Sequence, residues 1–231
     1  MPTLALEDAP EGFTRAAAPA AVVGAAGVLP SGNASSLKNV PITILPGFPT
    51  TLASGEAQDL TMGHPVSFPF GIWFADPSTL YVCDEGDGTL VSGAPNVADA
   101  ATLATAGVQK WKLINGVWKF QYVLQDGLNL GIPYGVANYP ASLNPATDGC
   151  RNLTGRSNGD GTATIYAVTS TVSTNGDQGA DPNKLVKVTD LLKATSLPTH
   201  STNGDGWGHF TTIRSAQAGE VLRGVSFAPR D

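Results

Sequence analysis

Hydrophobic positions along the chain recur in short runs, rich in β-branched and aromatic residues and bounded by Gly, Pro, Asn and Asp. This is the pattern of strands rather than of helices. The runs VPITIL (40–45), FGIWFA (70–75), TLYVC (79–83), VQKWKLI (108–114) and VWKFQYVL (117–124) predict strands in the first half of the chain. YGVAN (134–138), ATIYAVT (163–169), KLVKVTD (184–190), HFTTIR (209–214) and VLRGVSF (221–227) predict them in the second. A 3.6-residue period shows only in ADAATLATAG (98–107), a short helix candidate. Between WKLI and VWKF, Asn115-Gly116 allows positive φ at both central positions of a two-residue hairpin turn.

The strand runs repeat in order. PFGIWF (69–74) matches PYGVAN (133–138), TLYV (79–82) matches TIYA (164–167), and VQKW (108–111) matches LVKV (185–188). VWKFQYVL and HFTTIR then close the two units as fourth strands. LRGVSF (222–227) looks like a third copy of the first strand, and VPITIL like the outer strand of a preceding unit. Four antiparallel strands per unit, the first one glycine-bearing, are the grammar of a β-propeller blade. In the second unit the first and second strands are far apart, so residues 139–162 read as a long insertion. The prediction is an all-β chain: two complete four-stranded blades plus partial blades, with long loops, spanning 40–231. Residues 1–39, rich in Ala, Gly and Pro, read as a poorly structured N-terminal segment.

The order PFGI, LYVCDEG, VQKWKLINGVW, YGVA, TIYAVTS, NKLVKVTD and LRGVSFAP resembles the C-terminal part of a secreted β-propeller. In style it is similar to NHL-like and gluconolactonase-like propellers, and to secreted propeller proteins of uncharacterised family ending in a GVxFAP segment. The resemblance covers 40–229 and implies fold more than activity. A ring takes about four or more blades. The expectation is therefore a piece of a longer propeller, or a chain that completes itself with another copy.

Composition adjusts the picture without changing it. Only 14% of the 231 residues are charged, and Ser, Thr, Gly, Ala and Pro fill the difference, as in extracellular or periplasmic proteins. The net charge is −6 and the 13 Lys and Arg are scattered, so nothing invites nucleic acid. The weakly apolar stretch 16–30 holds two prolines and two glycines and is no membrane span; nor does the acidic N-terminus read as a signal peptide. Cys83 and Cys150 fit either a disulfide or two separate thiols, and their spacing does not choose.

In a propeller, the loops joining strands two and three share one face with the loops joining blades, and ligands commonly bind there. Asp84, Glu85 and Asp87 of CDEGDG fall on that face as candidate metal ligands. His64, Asp126, Asn129, Asp177 and Asp181 join them as candidate ligand-binding residues. Clustered loop oxygens suit Ca²⁺, yet the spacing matches no EF-hand, and Asp-Gly pairs form turns for their own sake. The turn reading is the stronger of the two. GRSNG (155–159) has the letters of a nucleophile elbow, but a strand follows it rather than a helix. His64 is the only histidine placed to serve as a base. The favoured function is a binding or structural module for a carbohydrate or another protein. The alternative is part of a Ca²⁺-dependent propeller hydrolase of lactonase or phytase type.

Overall fold

The computed structural model describes residues 21–23, 42–48, 68–88, 97–174, 181–198 and 207–228. Ten strands run through them: β1 (Ala21–Val23), β2 (Ile42–Ile44), β3 (Pro69–Asp76), β4 (Thr79–Asp84), β5 (Gly107–Ile114), β6 (Val117–Leu124), β7 (Ala146–Ser157), β8 (Thr162–Val172), β9 (Lys184–Leu191) and β10 (Thr211–Ser215). Among the described residues there is no α-helix. The helix candidate at 98–107 is instead a 3₁₀ turn, Val97–Thr102. No helix there is long and apolar enough to cross a membrane.

The strands form two four-stranded antiparallel meanders, β3-β4-β5-β6 and β7-β8-β9-β10. Asn115 and Gly116 both take positive φ and make the tight turn between β5 and β6, as the dipeptide predicts. The paired motifs TLYV and TIYA occupy equivalent places on β4 and β8, and VQKW and LVKV on β5 and β9.

The first strand of the second sheet departs from the sequence reading. Residues 134–138 are irregular and end in a turn, not a strand, and the stretch read as an insertion contains β7. The reason is packing. β7 lies against β3 and the end of β4, so closely that a Cβ on Gly149 would sit 2.2 Å from the Asp84 carbonyl oxygen. A Cβ on Gly155 would sit 2.6 Å from the Trp73 ring. The buried first half of this strand, Ala-Thr-Asp-Gly-Cys (146–150), is made of small and polar residues and shows no apolar alternation.

Two further expectations are corrected. Residues 221–227 are not a strand; they cross the outer side of the second sheet, where Phe227 meets Tyr166 edge-on at 5.6 Å and Asn183 holds the Leu222 backbone. VPITIL contributes only the short β2, which pairs with β1 from the N-terminal segment rather than closing a four-stranded sheet.

The main core fills the space between the two sheets with Tyr81, Cys83, Val108, Leu124, Cys150, Ile165, Val186 and Val188, among others. The other side of the first sheet carries Ile72, Leu80, Val82, Trp111 and Trp118, with Phe48 stacked on Trp111 at 4.1 Å. Trp118 NH donates to the Pro46 carbonyl and so fixes the covering segment. A third cluster joins the 3₁₀ turn and the segment leading into β5 to the second sheet through Ala100, Leu103, Ala106, Ala146 and Val172.

A charged group is buried inside the main core. Lys110 Nζ on β5 lies 2.9 Å from Asp190 Oδ2 on β9, and both side chains are fully buried. Tyr81 Oη donates to Asp190 Oδ2 at 2.6 Å and Tyr122 Oη to Oδ1 at 2.8 Å, while Lys110 also donates to Tyr122 Oη and to the Leu191 carbonyl. One residue pair along, Lys112 donates to Thr79 Oγ1 and to the Leu192 carbonyl. Burial lowers the Lys110 pKa against the pull of Asp190. Burial and the nearby Asp190 raise those of both tyrosines. Every partner is satisfied, which is the condition under which a buried ion pair is tolerated.

At the edge, β10 has both faces exposed and a register shift between Thr212 and Arg214. Arg214 there reaches Glu220 at 3.3 Å.

Two expected outcomes follow from the packing. Lys110→Met strands the Asp190 carboxylate between the sheets and lowers stability by about 3–5 kcal/mol in urea unfolding. A cost below about 1 kcal/mol would mean that solvent reaches the pair. Gly149→Ala cannot be absorbed without parting β7 from β4, and costs about 3 kcal/mol in the same assay.

Candidate functional site

The loops after β4, β6 and β8 do meet at one end of the paired sheets. Gly88 NH donates to Asp148 Oδ2 at 2.9 Å, Ser170 Oγ to the Glu85 carbonyl at 2.6 Å, and Tyr139 Oη to Asp181 Oδ1 at 2.6 Å. Tyr134 Oη donates to the Pro182 carbonyl and Thr174 Oγ1 to the Ser142 carbonyl.

Asp84 ends β4 and is fully buried. Its Oδ2 accepts from Phe68 NH at 2.9 Å and from Gln109 Nε2 at 2.8 Å, and its Oδ1 accepts from Gly86 NH at 3.0 Å. Gln109 in turn accepts from Trp111 Nε1. The carboxylate thus ties the residue before β3, the loop after β4 and β5 together. Burial pushes its pKa up to about 7, against the backbone donors of Gly86 and Phe68, which favour the ionised form.

Glu85 pairs with Arg151 of β7, Nε to Oε2 at 2.9 Å, and the guanidinium lies over the Phe70 ring. Asp87 sits half-buried between Gly86 and Gly88, both at positive φ. A Cβ on Gly86 would press on the Asp148 carboxyl at 2.6 Å, so glycine is required twice over, for its φ and for its space.

The other candidates divide. Asp181 is buried at the same end, close to Tyr134, whose ring carries Lys184 Nζ 3.6 Å from its centre. Burial, reinforced by Asp181, raises the Tyr134 pKa, and burial lowers that of Lys184. Asp126 is exposed and bonds His209, Nδ1 to Oδ2 at 2.7 Å, rather than facing the acidic loop. Asn129 occupies a turn at positive φ. His64 and Asp177 lie outside the described residues. Ser157 ends β7 and donates to the Ala75 carbonyl, a strand-end contact.

Sequence reasoning misses Asp148, Arg151 and Ser170, the partners of the acidic loop. All three belong to β7 and β8, and β7 read as loop. It also misses Tyr134, Tyr139 and Lys184, as well as the His209–Asp126 pair, whose members are 83 positions apart.

Among the described residues, no three His, Cys, Asp or Glu side chains are arranged to hold a metal ion. The donor chemistry agrees: the Asp84 oxygens take three N–H groups, and Glu85 takes a guanidinium. What this end offers instead is a rim of hydrogen-bonding groups with two half-buried tyrosines, next to exposed Ile132. Compared with protein-family models, with curated proteins and with solved structures, the chain matches none.

The unfolded chain holds the Asp84 carboxyl at 3.8 and the folded chain at about 7, so between those values the folded state carries the extra proton. The stability this adds is full below the lower value and is lost as pH rises through the upper one. Relative to Asp84→Asn, the wild type should lose up to about 4 kcal/mol across that window. Urea midpoints of both proteins at several pH values check this. A constant difference between them would show that the three donors dominate over burial.

Proposed function

We propose that the chain supplies two neighbouring blades of a β-propeller and acts as a binding or structural module. Its ligand-facing surface would be the end formed by residues 84–88, 134–148 and 181–184. The observation that carries this reading is the contact between the two first strands. A Cβ on Gly71 of β3 would sit 2.8 Å from the Arg151 carbonyl of β7, and from there outward each sheet is a simple meander. Innermost strands of neighbouring blades are expected to meet in this way, with the outer strands fanning apart. The ligand class that suits the rim is a carbohydrate or a protein surface, held by hydrogen bonds and by the Tyr134 and Tyr139 rings. An extracellular or periplasmic location fits the sparse charge and the Ser/Thr/Gly-rich composition.

The calcium-dependent hydrolase is the weaker reading. A cation there would have to compete with the N–H donors on Asp84 and with Arg151 on Glu85. Thermal unfolding in millimolar Ca²⁺ and in EGTA separates the two. The module reading expects equal midpoints. A calcium-dependent rise of several degrees, together with turnover of a lactone or phosphoester, would reverse the choice.

The binding surface is tested on an oligosaccharide array. The expected result is capture that Tyr139→Phe weakens roughly tenfold, since its hydroxyl holds Asp181 in place. Capture that this change leaves untouched would put the surface elsewhere.

A further inference from the structure

Cys83 and Cys150 face one another across the seam between the sheets. Cys83 is on β4 opposite Val108, two positions after Tyr81, and so shares its inward face. Cys150 is on β7 opposite Thr169. Both thiols are free, fully buried and part of the same core cluster. Burial first, and then the neighbouring Cys150 thiol, raise the Cys83 pKa. The flanking backbone is in contact: the Gly149 Cβ position lies 2.2 Å from the Asp84 carbonyl oxygen and 2.7 Å from the Glu85 carbonyl carbon. Two cysteines can be bridged when their Cα atoms are within about 7 Å and their Cβ vectors converge. Backbone contact one residue along, with both thiols in one core cluster, brings the two cysteines into the range such a bridge needs.

We propose that Cys83 and Cys150 are a cross-linking site, closed as a disulfide that ties the first sheet to the second. The oxidant is a low-molecular-weight disulfide such as oxidised glutathione. One cysteine thiolate attacks it, forming a mixed disulfide and releasing one reduced thiol. The second cysteine thiolate then displaces the other. One oxidant disulfide becomes two thiols, and the protein loses two hydrogens as its own S–S bond forms. The attack belongs to the stage before β7 docks, because in the folded core burial pushes the Cys83 thiol up and no small molecule reaches it. The same burial then shields the closed bond from reductant. The cross-link does not depend on the propeller assignment. An oxidising compartment would supply the chemistry.

The test uses the full chain, refolded in a glutathione redox buffer, then denatured without reductant and treated with iodoacetamide. The expected product is monomeric, carries no alkyl group, weighs two hydrogens less than the reduced chain and yields one linked peptide joining Cys83 to Cys150. Its thermal midpoint should fall by about 10 °C on full reduction. Cys83→Ser should abolish the redox response of the midpoint. If that variant does not fold, the wild-type mass and alkylation count decide alone. Quantitative alkylation of both thiols after oxidative refolding, or bonds only between chains, would overturn the proposal.

Discussion

The end of the molecule where the loops gather depends on one close approach, that of β7 to the end of β4. There the Asp84 carbonyl occupies the space a side chain at position 149 would need. Dispersion and burial reward such contact only if no atom intervenes, so glycine at 149 sets how near the sheets come. From that distance follow the reach of Arg151 to Glu85, of Gly88 to Asp148 and of Ser170 to the Glu85 carbonyl. The acidic loop keeps its shape because a neighbouring strand is pressed against it.

The buried Lys110–Asp190 pair sets the alignment of the same interface further along. A purely apolar face would let two sheets slide by a residue at modest cost. A lysine that must meet one carboxylate, one phenol and a backbone carbonyl, with that carboxylate taking two phenols, permits one register. Lys112 repeats the arrangement on Thr79 and Leu192. Hydrophobic burial brings the sheets together, and the ionic group selects how they meet.

Much of the fold was legible because its strands obey simple rules. β4, β5, β6, β8 and β9 are apolar runs, and the Asn115-Gly116 turn stands where it was expected. β7 was not legible, because tight packing selects small and polar residues whose burial no hydropathy pattern signals. PYGVAN misled for the opposite reason: it imitates the first-strand motif in letters but is irregular and ends in a turn. The site followed the same division. The gathering of loops after β4 and β8 was readable from strand order alone. The partners on β7 were not, since a strand that is missed takes its contacts with it. The buried cluster of Lys110, Asp190 and two tyrosines had no local signal either, because its members are up to 109 positions apart.

The outermost strand bears on how copies of this chain meet. Among the described residues no strand pairs with the outer side of β10, an edge that would ordinarily recruit a strand from a neighbour. Its register shift around Ile213 interrupts the ladder, and Arg214 sits on it in a pair with Glu220. An interrupted, charge-bearing edge is a poor template for in-register extension. Lateral growth into a continuous sheet, the route to filaments, is thereby discouraged at this border.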